Sequence, residues 1–148
     1  KGPLVLTTDL ICGFCGETDE EFQETYRLMQ EVRYQAAFVF KYSERKHTIA
    51  ARKYVDDIPE QVKGYRTNRV IELQKEISLS KNKALMGHTV EVMLEGDSKK
   101  SNLQWMGHSD HNVTVVWPKD DLARQPGDLV PVLVLDASPS TLYGQVRS

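Results

Sequence analysis

Residues 59–86, PEQVKGYRTNRVIELQKEISLSKNKALM, decide how this chain is divided. Pro59 suits a first helical turn, and Gly87 follows where glycine often ends a helix. At about 1.5 Å per residue, one unbroken helix would span roughly 40 Å, enough to connect two domains. A break within residues 77–82 is the alternative, because Ser78 and Ser80 weaken the helix there. Apolar residues recur at the spacing of one helix face: Val62, Val70, Leu73, Ile77 and Leu85.

Charged residues fill the positions between these apolar ones. By default such residues form a solvated helix face. The residues that we expect on that face are Lys63, Arg66, Arg69, Glu72, Lys75, Glu76 and Lys81.

The residues before this helix predict a strand–helix–strand unit. Leu4–Phe14 is an almost continuous apolar run, which is typical of a parallel strand buried on both faces. Thr18 and Glu21 form a capping-box pattern that predicts a helix from Asp19 to about Val32. Ala36–Tyr42 is the next predicted strand. Because the loops that connect these two strands to the helix are short, the strands should be parallel and the crossover right-handed.

The segment 43–58 is predicted to be an irregular, basic loop. It begins at the carboxyl end of the second strand, which is where open α/β sheets place their ligands. Arg45 and Lys46 could therefore contact phosphate. A solvated loop without a ligand is the simpler interpretation.

From His88 the apolar period changes to two, which predicts an all-β domain. Five short antiparallel strands in about 60 residues favour a small closed barrel of the oligonucleotide-binding (OB) kind. The predicted strands are Thr89–Glu95, Leu103–His108, Val113–Trp117, Leu129–Leu135 and Leu142–Val146. The predicted fold class is thus α/β followed by all-β.

Composition excludes little. The 148 residues carry a formal charge of −2, which gives no overall attraction to nucleic acid or membranes. No run approaches the length of a transmembrane helix. The first residue is Lys1 rather than Met, so we expect a piece of something longer. Cys12 and Cys15 are too few for a zinc or iron–sulfur site, and we expect them to be incidental thiols of a protein in a reducing, cytoplasmic compartment.

Five strings now occur in order: TTDLICGFCGETDEEF (7–22), FVFKYSERKHT (38–48), DDIPEQVK (56–63), LQKEISLSKN (73–82) and VEVMLEGDSKKS (90–101). Together they resemble the C-terminal part of the MiaB-type tRNA methylthiotransferases, which are radical S-adenosylmethionine enzymes ending in a TRAM β-barrel. The resemblance covers essentially the whole chain. Sister branches that modify a ribosomal protein or threonylcarbamoyl-adenosine share the first two strings. The last two strings favour the branch that modifies isopentenyl-adenosine beside the anticodon.

The resemblance implies three parts: the end of a radical-enzyme partial (β/α) barrel in residues 1–58, a connecting helix in 59–86, and an OB-like TRAM barrel in 87–148. The family's cluster cysteines, C-x-x-x-C-x-x-C plus three more, are not in this chain, and proline is usual where Cys15 stands. The resemblance therefore implies no catalytic residue, no metal ligand and no bound cofactor here. It implies that the parent enzyme carries two 4Fe–4S clusters and S-adenosylmethionine.

The resemblance also implies site residues. Ile11 and Gly13 match positions beside the adenine of S-adenosylmethionine, with Glu17 after the turn. The alternative is that Ile11 is core and Gly13 only turn geometry.

RNA contact is expected from Lys99, Lys100 and Trp105 of the TRAM barrel, together with Arg45 and Lys46. A core position is the alternative for both Trp105 and Trp117. His88, His108 and His111 could add hydrogen-bond donors, but they read as surface groups. From His88 onward there are eight acidic residues and only five Lys and Arg, so this part of the chain is acidic overall. Any binding of RNA must therefore depend on a local cluster of basic residues.

The expected partners are a tRNA anticodon stem-loop and the N-terminal part of the same polypeptide, in a monomer without membrane contact. Two alternatives stay open. One is a non-catalytic RNA-binding module, and the other is a sister methylthiotransferase whose acidic TRAM barrel binds a basic ribosomal protein.

Overall fold

The computed structural model describes residues 4–147, so the predictions for Lys1 and Ser148 fall outside the described residues. The chain forms two compact units, Leu6–Ile77 and a second that begins at Ser78. Among residues 4–147, no helix has both the length and the apolar character needed to cross a membrane. The elements are β1 Thr7–Cys12, α1 Asp19–Val32, β2 Ala36–Lys41, α2 Ile49–Lys53, α3 Glu60–Lys83, β3 Thr89–Ser98, β4 Ser101–Ser109, β5 Thr114–Pro118, β6 Leu129–Ala137 and β7 Thr141–Val146.

Helix α1 has the predicted bounds and the predicted capping box. The Thr18 hydroxyl accepts a hydrogen bond from the Glu21 N–H at 3.2 Å, and the Glu21 carboxylate accepts one from the Thr18 N–H at 2.9 Å. These two bonds satisfy backbone donors that a helix start leaves unpaired. Local chemistry therefore sets the start of α1.

Strands β1 and β2 are parallel, as the short crossover predicted, with Ile11 opposite Phe40. The prediction of burial on both faces is wrong. Ile11 is 58% exposed and Phe40 is 55% exposed. Apolar side chains from α1 and α3 cover only the other face, so the sheet has a single core on that side. The core is Cys12, Phe22, Met29, Val70, Leu73 and Ile77.

The segment 43–58 is not wholly irregular, because it contains the short helix α2. The Thr48 hydroxyl caps this helix by accepting a hydrogen bond from the Ala51 N–H at 3.2 Å. The prediction missed α2 because the helix has no buried residue, and hence no apolar period to detect.

Helix α3 runs without interruption from Glu60 to Lys83, so the considered break within residues 77–82 does not occur. The prediction of a solvated charged face is wrong for two members: Lys63 is 3% exposed and Arg66 is 4% exposed. Both continue, at steps of three and four, the buried stripe of Val70 and Leu73. A charge on that stripe is buried with its apolar neighbours.

The second unit contains a closed five-stranded barrel in the order β3-β4-β5-β7-β6, with β6 pairing back to β3. The prediction that every pair is antiparallel is wrong, because β5 and β7 are parallel. A ring with an odd number of strands cannot alternate direction all the way round, so one pair must be parallel. Buried residues that fill the barrel include Val92, Leu94, Val115, Trp117, Val130, Val132, Val134 and Leu142.

Candidate nucleic-acid interface

A cavity of about 410 Å³ lies at the carboxyl ends of β1 and β2. It brings together Ile11, predicted on the cofactor side, and Arg45, predicted on the RNA side. Lys46 is exposed beside them but does not line the cavity. Its lining combines apolar side chains with hydroxyl groups, an ammonium and a guanidinium. The lining residues are Ile11, Phe40, Lys41, Tyr42, Ser43, Arg45, Thr48 and Ala50.

Gly13 and Glu17, the other two predicted cofactor residues, do not line this cavity. The Gly13 N–H donates to Glu17 Oε2 at 2.7 Å, and the same oxygen accepts from Arg66 Nη1 at 2.7 Å. Gly13 has φ +75°, and a Cβ there would lie 2.4 Å from Lys63 Cγ. Both residues therefore shape the turn between β1 and α1, which Lys63 and Arg66 hold against α3.

The buried cations of α3 are the residues that sequence reasoning missed. Arg66 also donates to the Glu17 carbonyl at 2.9 Å and to Asp19 at 2.7 Å, while Lys63 Nζ donates to Asp56 at 2.6 Å. Burial alone lowers the pKa of Arg66, but its hydrogen bonds to Asp19 and Glu17 outweigh burial and raise it. Their position on the same helix face as Val70 and Leu73 could have indicated that they are buried. Glu17 and Asp19, which pair with Arg66, could not have been identified in this way because they lie more than 40 residues away in sequence.

Cys12 and Cys15 are both free thiols, with Cys12 in the core and Cys15 half-buried in the following turn. Burial, with a smaller contribution from Glu17, raises the pKa of Cys12 to about 11. Within residues 4–147, no three or more His, Cys, Asp or Glu side chains are grouped so that they could hold a metal ion.

A groove of about 240 Å³ lies on the outside of the barrel, beside the β3–β4 turn. It contains both predicted lysines, Lys99 and Lys100, and also Tyr143 of β7, which the sequence analysis did not single out. Strand alternation was the available signal, because Leu142 is buried and Tyr143 beside it is 37% exposed. The lining residues are Ser98, Lys99, Lys100, Gln104, Met106, Thr114, Val116, Thr141 and Tyr143.

Trp105 does not line that groove, although it is near the lysines in sequence. It pairs across β4 and β5 with Trp117 and packs against the barrel core. Lys119 Nζ lies 4.1 Å from the centre of its ring. For both tryptophans the alternative to RNA contact was a position in the core. Trp117 is fully buried and fits this alternative, and Trp105 is partly buried and fits it in part.

A different part of the barrel surface is acidic. A cavity of about 440 Å³ is lined by Glu91, Glu95 and Asp110 over the apolar side chains of Met93 and Leu129. His108, one of the three histidines read as surface groups, is half-buried at its edge. Its Nδ1 lies 2.7 Å from Glu95 and its Nε2 lies 3.2 Å from Thr114. Three of the eight acidic residues counted from His88 onward therefore line this cavity, and none of the three lines the groove that contains Lys99 and Lys100.

Comparison with known proteins places these features in a family. Residues 83–146 match the family described as "TRAM domain". Residues 83–146 are thus a TRAM domain. The match includes all five barrel strands, the lysine groove and the acidic cavity.

The similarity also extends over the first unit. A tRNA-2-methylthio-N(6)-dimethylallyladenosine synthase of Porphyromonas gingivalis is 46% identical over 95% of this chain. Proteins of the same name from Amoebophilus asiaticus and Chlorobium phaeobacteroides are 40% and 44% identical over 95% of it. The resemblance to the MiaB-type tRNA methylthiotransferases is confirmed. The chain spans only 29–31% of the length of these curated relatives.

Proposed function

We propose that this chain is the C-terminal part of a tRNA-2-methylthio-N6-isopentenyladenosine synthase. The supporting observation is the 46% identity, across 95% of the chain, to a protein named for that activity. The whole enzyme would insert sulfur at an adenosine C–H bond beside the anticodon and then methylate it. The two 4Fe–4S clusters would be held by the N-terminal part of the same polypeptide. We expect a cytoplasmic monomer.

In this proposal the chain has three parts: residues 1–58 belong to the radical-enzyme barrel, 59–86 form the connecting helix and 87–148 form the TRAM barrel. The β1–α1–β2 unit would supply the last strands of the radical-enzyme barrel. The exposed face of Ile11 and Phe40 supports it, because a partner must cover so much apolar surface. These side chains also suit one face of the adenine of S-adenosylmethionine. Gly13 and Glu17 would act indirectly, by fixing the turn that follows Ile11.

The TRAM domain would hold the tRNA anticodon stem-loop. Lys99 and Lys100 are both exposed and line one groove, which supports a phosphate contact there. Arg45 and Lys46 lie at the carboxyl end of β2 and would supply a second contact. Lys99 and Lys100 would bind RNA locally, despite the acidic balance of the domain.

The test is the affinity of this chain for a fluorescein-labelled anticodon stem-loop, measured by anisotropy from 50 to 400 mM salt. Wild type should bind the stem-loop more tightly than a scrambled RNA of the same length. Each phosphate contact contributes about 0.7–0.9 to the slope of log K against log salt. The double variant Lys99→Ala, Lys100→Ala should therefore lose about 1.5 from that slope, and about tenfold in affinity near 150 mM salt.

The matched control is Lys75→Ala, Lys83→Ala, which removes two exposed lysines from α3 and changes the net charge equally. It should leave the slope and the affinity nearly unchanged. Equal binding of stem-loop and scrambled RNA at near-physiological salt would refute the proposed function. An equal loss in both double variants would remove Lys99 and Lys100 from the site.

The acidic cavity favours a second candidate function, that of the sister enzyme acting on a ribosomal protein. Glu91, Glu95 and Asp110 would pair with lysine or arginine side chains over Met93 and Leu129. A lysine-rich peptide that binds more tightly than the stem-loop, and loses affinity in Glu91→Gln, Glu95→Gln, would favour this candidate. Stem-loop binding by this chain, with no modified adenosine made by the full polypeptide, would instead favour a non-catalytic RNA-binding module.

A further inference from the structure

Tyr143 is an aromatic side chain placed on the outer face of the barrel. Register sets Tyr143 beside Val116, and Val116 beside Met106, so the three form one row across β7, β5 and β4. Val116 is only 9% exposed although it points outward, whereas Tyr143 is 37% exposed. The row therefore makes an apolar floor with an accessible ring at one side.

The rest of the groove has the polarity that a nucleotide needs. Lys99 and Lys100 bring two ammonium groups to one end. Gln104, Thr114 and Thr141 place an amide and two hydroxyls around the floor, where they could bond the polar edge of a base. A volume of about 240 Å³ accommodates one base with its ribose. Proteins that bind single-stranded nucleic acid commonly combine an aromatic ring, on which a base stacks, with adjacent cations that bind the phosphates.

Trp105, the aromatic residue nearest the lysines in sequence, cannot provide that platform. Alternation along β4 turns its ring toward the core, where it packs beside Trp117. The ammonium of Lys119 lies 4.1 Å from the ring centre and covers it. Tyr143 is the aromatic residue of the groove itself.

We propose that this groove binds one unpaired nucleotide, with the base stacked on Tyr143 and the neighbouring phosphates on Lys99 and Lys100. The inference rests on the proposed function, since it specifies which part of a tRNA the TRAM domain holds. It requires a loop nucleotide rather than the paired stem. An acidic peptide could satisfy the lysines but would gain little from the ring.

The experiment compares the same labelled anticodon stem-loop with a fully paired duplex of equal length. Tyr143→Leu removes the ring but keeps an apolar side chain, and it should weaken stem-loop binding about fivefold to 150-fold, which is the contribution of one stacked base converted to affinity. Tyr143→Phe should stay within about twofold of wild type. Neither variant should change duplex binding. Tyr65→Leu, at a tyrosine 59% exposed on α3, is the matched control and should bind normally.

A second measurement uses the unaltered chain and so does not depend on how Tyr143→Leu folds. 2-Aminopurine placed in the loop should lose fluorescence on binding, because stacking on an aromatic ring quenches it, whereas 2-aminopurine in the stem should not. If 2-aminopurine in the loop is not quenched on binding, the proposal is wrong. It is also wrong if a glutamate-rich peptide that carries the same charge as the stem-loop displaces the stem-loop.

The two proposals fail in different ways. If Lys99→Ala, Lys100→Ala weakens binding while Tyr143→Leu does not, the nucleotide site is wrong and tRNA binding stands. If wild type does not prefer the stem-loop to a scrambled RNA, both are wrong.

Discussion

Replacing Arg66 by methionine tests whether the buried ion pair holds the first unit together. The guanidinium is 4% exposed and donates to Glu17 Oε2 and Asp19 Oδ1, each at 2.7 Å. It also lies 5.6 Å from the ring centre of Phe22. Methionine would keep much of the packing while leaving the Glu17 carboxylate, 14% exposed, without its cation.

The expected loss follows from these exposures. Removing one partner of a buried pair costs about 3–5 kcal/mol, because the other charge stays buried. The lower end applies here, since Glu17 keeps the N–H of Gly13 at 2.7 Å. Asp19 adds little, because its side chain is 86% exposed. We expect Arg66→Met to lower the free energy of unfolding of this unit by about 3 kcal/mol.

Urea unfolding followed by circular dichroism at 222 nm is the assay, because α1 and most of α3 lie in this unit. With a slope of about 2 kcal/mol per molar urea, the midpoint should fall by about 1.5 M. Both tryptophans, Trp105 and Trp117, lie in the barrel, so tryptophan fluorescence follows the other unit in the same sample.

Two further variants make the result specific. Arg27→Met removes an exposed arginine from α1 and should change the free energy by less than about 0.5 kcal/mol. Adding Glu17→Gln to Arg66→Met should recover part of the loss, since no unpaired carboxylate is then left buried. A loss below about 1 kcal/mol for Arg66→Met, or an equal loss for Arg27→Met, would refute the reasoning.

Two other predictions concern a glycine and a thiol. Gly107→Ala should destabilise the barrel by about 3 kcal/mol in guanidinium unfolding followed by tryptophan fluorescence, because the new Cβ would lie 2.1 Å from the carbonyl oxygen of Met93. The control Gly64→Ala lies in the first unit and has no atom within 4 Å of the added Cβ, so it should stabilise that unit by up to about 1 kcal/mol in unfolding followed by circular dichroism at 222 nm and leave the fluorescence transition of the barrel unchanged. An equal shift of the fluorescence transition in both variants would contradict the argument. Cys12, with its pKa raised to about 11 by burial, should stay unreactive toward a disulfide reagent at pH 8 in the folded chain and react once urea unfolds it. The half-buried Cys15 should react first, and two equally fast thiols in the folded chain would show that Cys12 is not buried.

The family could be recognised from short strings because they lie in the regions that local rules govern. The capping box of Thr18 and Glu21 and the change of period at His88 depend on neighbours a few residues apart. Helix α1 and the five barrel strands were therefore predictable, with ends shifted by a few residues. The exposure of Lys99 and Lys100 was predictable for the same reason, since a turn between two strands exposes its side chains.

The site as a whole was not predictable in this way. Tyr143 joins Lys99 only because the barrel closes and sets β7 beside β5, and Arg66 is buried only because Glu17 is brought to it across 49 positions of sequence. Sequence alone determined most of the helices and strands, with α2 the exception, because backbone sterics and capping act over a few residues. The tertiary structure alone decided which charges are buried and which side chains share a groove, because those contacts depend on how distant segments pack.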